Sequence, residues 1–167
     1  MKNTILLLIL LFVTIQITKA QSLDSKNYHT QRGSLKNSFL KFEKEKVGRV
    51  AFLGGSITYN GGWRDSVCNY LQHRFPETKF DFIAAGIPSM GSTPGAFRFE
   101  RDILANGKVD LLFEEAAVND DTNRRTPEEI IRAMEGIVRH AKTANPACDV
   151  IIMHFVDPGK MEDYRNN

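Results

Sequence analysis

The chain has 167 residues, 22 Lys and Arg against 20 Asp and Glu, and 42% hydrophobic residues. That length suits one domain with a real core, and a formal charge of only +2 excludes the basic footprint of a nucleic-acid binder. Cys68 and Cys148 are the only cysteines, and they read as two buried thiols, although export would permit a bridge between them.

The chain opens with Lys2, an apolar run from Ile5 to Ile17 broken by Thr14 and Gln16, and then Thr18-Lys19-Ala20. A positive start, an apolar middle and small residues at −3 and −1 predict a secretory signal peptide over residues 1–20. The apolar run is shorter than the ~20 residues a membrane span needs. The expected location is secreted or periplasmic, with no stable membrane association once the leader is cut. Lys2 and Lys19 leave with it, and the remaining formal charge is zero.

Residues 21–47 form an N-terminal extension in which Leu35, Phe39, Leu40 and Phe42 predict a turn or two of amphipathic helix packed on the domain that follows. That domain is expected over residues 48–167. Val50 to Leu53 is a short apolar strand. Trp63 to Phe75 reads as a helix, with Val67, Tyr70, Leu71 and Arg74 at helical spacing and Pro76 after its end. Phe80 to Ala85 is a second strand. Gly95 to Asn106 is helical, with Gly107 as its stop. Val109 to Ala117 is a third strand. Thr126-Pro127-Glu128-Glu129 starts a helix with an N-cap, a proline at N1 and acids in the first turn. Its apolar face is Ile130, Met134, Ile137, Val138 and Ala141. Asp149 to Phe155 is a fourth strand. Asp157-Pro158-Gly159 is a turn, and Met161 to Tyr164 begins another helix.

Strands and helices alternate, and the strands are continuous apolar runs. Both features predict an α/β fold, a three-layer α/β/α sandwich around a central parallel sheet. In such sheets, sites form beyond the carboxyl ends of the strands. Three loops stand there: Gly54-Gly55-Ser56-Ile57-Thr58, then Gly86-Ile87-Pro88-Ser89-Met90-Gly91-Ser92, then Val118-Asn119-Asp120-Asp121. The first lacks the spacing of a dinucleotide fingerprint, of a P-loop and of the G-x-S-x-G elbow. A serine after two glycines can expose its hydroxyl and its own N–H in one tight turn. Taken singly, the first loop also fits a plain turn capped by Ser56, and Asn119-Asp120 fits a solvated turn.

In order and spacing, the three loops resemble the blocks of the SGNH hydrolase superfamily, the GDSL-type esterases. Gly54-Gly55-Ser56-Ile57 stands where that family usually has Gly-Asp-Ser-Leu, with glycine replacing aspartate. Ala117-Val118-Asn119-Asp120 stands for Gly-x-Asn-Asp, with the first glycine lost. The second loop carries the family glycine either at Ser89, the gapless alignment, or at Gly91, the nearest glycine. The resemblance covers roughly residues 47–157 and implies the flavodoxin-like SGNH fold. It also implies Ser56 as nucleophile and oxyanion donor, with Asn119 and the backbone N–H of Gly91 (or of Ser89) completing the oxyanion hole. No cofactor and no metal are implied.

The family's base is a histidine in an Asp-x-x-His block, and that block does not occur in this sequence. His29 lies in the extension, His73 and His140 lie on predicted helices, and His154 lies near the end of the fourth strand. The missing block and the missing closing strand are both expected beyond Asn167, which makes the fold incomplete at its C-terminus. The function expected is an exported serine esterase that removes acetyl or short acyl groups from carbohydrate esters, with an acylated carbohydrate as partner. A carbohydrate-binding pseudoenzyme of the same fold is the alternative. A metal-dependent hydrolase built on Asp120, Asp121 and His154 has too few ligands. Trp63 fits helix-start packing better than sugar stacking.

Overall fold

The structure, a computed structural model, describes residues 29–155. The signal-peptide segment, the turn at Asp157 and the helix expected at Met161 lie outside the described residues. Two compact units, residues 1–32 and 33–167, divide the chain, and every described helix and strand belongs to the second. Among the described residues no helix is long and apolar enough to cross a membrane.

Four parallel strands form one sheet in the order β2-β1-β3-β4. They are β1 (Val47–Gly54), β2 (Lys79–Gly86), β3 (Leu111–Glu114) and β4 (Asp149–Ile152). The helices are α1 (Lys36–Glu45), the single turn α2 (Ser56–Tyr59), α3 (Trp63–Arg74), α4 (Ser92–Phe99) and α5 (Pro127–Ala144). Successive side chains of a strand point to opposite faces, so each central strand feeds two cores. Val50 and Phe52 of β1 pack with Leu111 and Phe113 of β3, under Phe42 of α1 and Leu71 of α3. Ala51 and Leu53 pack on the other face with Leu112, Phe99, Ile137 and Ala141. Three layers result, as the apolar runs predict.

Helix α1 is bound into this unit by more than Phe42. Asp149, at the start of β4, accepts hydrogen bonds from the N–H and the hydroxyl of Ser38, each at 2.8 Å. Lys41 donates to Asp110 at 2.7 Å. Helix α5 starts where the sequence places it: Thr126 and Glu129 each accept from the other's backbone N–H, at 3.3 and 3.0 Å.

Several boundaries differ from expectation. Strand β1 begins at Val47, because the ladder with β2 runs unbroken from Val47↔Lys79 to Gly54↔Gly86. Strand β3 is shorter than expected: Glu115, at φ −132° and ψ 6°, leaves the extended region, and a 3-10 turn follows over Ala116–Asn119. Strand β4 ends at Ile152, having only the four residues of β3 to pair with. Helix α4 starts at Ser92 and passes into a π-helical turn over Glu100–Leu104. Tyr70, grouped by spacing with Val67 and Leu71, is exposed. Trp63 packs at 5.6 Å from Phe52 and 5.9 Å from Phe113, as helix-start packing requires. Both cysteines are free, and burial pushes the Cys148 thiol up to about 12.

Candidate functional site

The chain leaves β1 toward β2, then crosses back to place β3 on the other side of β1. The crevice outside the carboxyl ends of β1 and β3 is therefore the topological switch point, where open α/β sheets bind ligands. The registers Gly54↔Gly86 and Leu53↔Glu114 bring the three strand tips level. All three candidate loops start from those tips.

Ser56 opens α2 and is half-buried. Gly55 before it donates its N–H to Glu115 Oε2 at 3.3 Å, and its carbonyl accepts from Tyr59 N–H at 3.0 Å. In a trans peptide the carbonyl and the next N–H point in opposite directions. With the Gly55 carbonyl turned into the helix, the Ser56 N–H faces outward, away from the intrahelical ladder. The Asn119 side-chain amide lies against Gly55: a Cβ at Gly55 would collide with Asn119 Nδ2. That close approach is what glycine permits at this position. The same Nδ2 donates to Met90 O at 3.1 Å, which engages one of its two hydrogens. The structure thus brings the Ser56, Asn119 and Met90 loops into one place.

The two glycine positions weighed for the second loop behave differently. Ser89 has φ 63°, the left-handed region that favours glycine, whereas Gly91 has an ordinary φ of −93°. The Met90 carbonyl points at Asn119, so the Gly91 N–H across the same peptide points away from it. Gly91 is glycine for another reason: a Cβ there would collide with Asp120 Oδ1. Asp120 is buried and accepts from Ser92 N–H at 2.9 Å and Ser92 Oγ at 2.6 Å. It pins the start of α4 beneath the second loop.

Sequence reasoning missed two buried glutamates at the tip of β3. Glu115 accepts from Thr58 Oγ1 at 2.6 Å as well as from Gly55, and burial raises its pKa against those two hydrogen bonds. Glu114 accepts from Ala116 N–H at 2.9 Å. Burial pushes Glu114 up to about 7, helped by the neighbouring charges of Asp120 and Glu115. The available signal was two consecutive acids at the end of an apolar strand, since a buried polar residue is informative in a way an exposed apolar one is not. Arg98 of α4 was missed too. Its guanidinium donates to Ala85 O at 2.7 Å and Gly54 O at 3.3 Å, joining the tips of β2 and β1, and pairs with Asp102 at 2.9 Å.

The histidines of the second unit differ in their surroundings. His73 donates from Nδ1 to Asn69 O at 2.7 Å, His140 stacks on Phe99, and His154 is exposed beyond β4. Among the described residues no three His, Cys, Asp or Glu side chains come together as a metal site. Two open clefts, lined in common by Lys41, Lys108 and Asp110, lie at the opposite, amino ends of the strands.

The family model of the GDSL-like lipase/acylhydrolase family matches residues 52–167. Among solved structures, a two-domain esterase active on acetylated mannans is 30% identical, with a TM-score of 0.63 over 74% of this chain. This chain spans 35% of that esterase's length. TesA is similar in fold at 18% identity and a TM-score of 0.60, over 71% of this chain and 67% of its own. Axe2, an acetylxylan esterase from Geobacillus stearothermophilus, is similar in fold at 21% identity and a TM-score of 0.55, over 64% of this chain and 58% of its own. A search of curated proteins finds no match.

Proposed function

The chain belongs to the GDSL-like lipase/acylhydrolase family, and from that premise we propose that it acts as an exported serine esterase on acetyl or other short acyl esters of carbohydrates. The observation that carries this reading is the packing of the Asn119 amide against Gly55, next to Ser56, at the switch point of the sheet. The activity of the two-domain esterase on acetylated mannans supports the substrate class. The apolar run from Ile5 to Ile17 behind Lys2 supports export.

In this reading Ser56 Oγ attacks the acyl carbonyl carbon and gives its proton to a histidine. The carbonyl oxygen gains the negative charge and is held by Ser56 N–H and the second hydrogen of Asn119 Nδ2. The reading takes the third donor to be the N–H of Ser89, where the left-handed backbone is of the kind that glycine favours. Collapse breaks the ester bond, and the departing sugar oxygen takes the proton back from the imidazolium. Water, deprotonated by the same histidine, then releases the acid from the acyl-serine. The reading takes that histidine from an Asp-x-x-His block outside residues 1–167.

The test is deacetylation of acetylated mannan and hydrolysis of p-nitrophenyl acetate by the full-length gene product. Ser56→Ala is expected to lower kcat at least ~10³-fold with the fold retained. Turnover that survives the substitution rejects Ser56 as nucleophile.

A further inference from the structure

Resting on that reading of Ser56, we propose that Glu115 and Thr58 are positioning residues that hold the nucleophile's turn in its reactive geometry. Helix α2 is a single turn of four residues. A helix that short does not hold itself in water, because nucleation fixes several residues for one hydrogen bond. Something outside it must fix the angle at which Ser56 presents its hydroxyl and N–H.

Glu115 does this from the tip of β3. One carboxylate oxygen, Oε2, takes the N–H of Gly55, the residue before the nucleophile, and the hydroxyl of Thr58, two residues after it. Ser56 is thus bracketed by two bonds to one atom. Thr58 and Glu115 are both fully buried, so the bonds exchange little with water and hold their geometry. Gly54 is part of the same fit, since a Cβ there would collide with Thr58 Oγ1 and crowd Glu115 Oε2. On the other side of α2, a Cβ at Gly86 would collide with the backbone of Tyr59, which stops the turn from rocking toward β2. Glu115 stands only four residues before Asn119, with the 3-10 turn Ala116–Asn119 between them. One rigid segment therefore sets both the serine turn and the amide that faces it. Neither Glu115 nor Thr58 touches the ester; each acts through Ser56.

A purely structural brace would affect stability alone, whereas a positioning brace affects kcat through the loss of preorganisation. The experiment compares Thr58→Val, Thr58→Ser and Ser56→Ala in the full-length gene product, with p-nitrophenyl acetate as the probe and thermal melts alongside. Thr58→Val keeps the shape and removes the hydroxyl; it is expected to lower kcat ~10–100-fold while KM stays within about twofold. Thr58→Ser restores the hydroxyl and is expected to return kcat to within about threefold of the parent. Glu115→Gln, which keeps the volume and weakens the acceptor, is the second variant should Thr58→Val fail to fold; a lowered kcat at unchanged KM is expected from it as well. A parental kcat in a folded Thr58→Val, or equal loss in Thr58→Val and Thr58→Ser, overturns the proposal, as does a parental kcat in Glu115→Gln. Activity remaining in Ser56→Ala would instead remove the reading on which the proposal rests, so the two failures are told apart.

Discussion

Asp120 accepts two hydrogen bonds from one residue, Ser92: the backbone N–H at 2.9 Å and the hydroxyl at 2.6 Å. Adjacent residues of the same loop therefore serve different loops. Asn119 faces Gly55 after β1, and Asp120 fixes the start of α4 after β2. The second of these contacts explains why α4 begins three residues before the expected Gly95: a carboxylate satisfies its first free N–H.

Removing the Asp120 carboxylate leaves a buried N–H and a buried hydroxyl without acceptors. Asp120→Ala is expected to destabilise the fold by about 2–4 kcal/mol. Urea unfolding should show a lower midpoint at an unchanged slope. A midpoint equal to the parent's would mean that Ser92 is satisfied some other way.

On the proposed mechanism, Asn119→Ala is expected to lower kcat about 10²–10³-fold with little change in KM, because the oxyanion forms only on the way to the tetrahedral intermediate. Gly55→Ala is expected to do much the same, since its methyl group displaces the Asn119 amide. Steady-state kinetics on both single variants and the double variant check this. If the two act through one contact, the double variant is no slower than the worse single one.

Glu114 gives the stability a pH dependence of definite sign. Its pKa is about 7 in the folded chain against an ordinary 4.5. Between those values the folded protein keeps a proton that the unfolded chain has released. This contribution is therefore fully present below pH 4.5, declines as pH rises to about 7, and is gone above it. The full change is about 3 kcal/mol. Glu114→Gln keeps an acceptor for the Ala116 N–H and cannot ionise. It is expected to match the parent at pH 4 and exceed it at pH 8, in denaturation curves taken at both.

Phe42 is fully buried between α1 and the sheet, edge-on to Phe75 at 5.6 Å and Phe80 at 5.0 Å. Phe42→Ala is expected to cost about 3–5 kcal/mol. Thermal melts of the full-length product measure it. A small loss would mean that α1 is held by Asp149 and Asp110 alone.

The succession of strands and helices could be read along the chain, because hydrophobic periodicity and capping act within a few residues. Val50 to Leu53, the Thr126-Pro127-Glu128-Glu129 start and the Phe42 face each carry their own signal. The positions of Gly54-Gly55-Ser56 and Asn119 at strand tips followed from that order alone. Folding decided what depends on partners distant in sequence. Glu115 lies 60 residues from Gly55 and 57 from Thr58, and Ser92 lies 28 from Asp120. No local pattern announces such pairs. Where β3 stops and where α4 starts go with those contacts, and which of Ser89 and Gly91 has the glycine-like backbone is likewise visible only in the folded chain. A buried carboxylate selects its donors by proximity in space, and spacing along the chain carries no record of that.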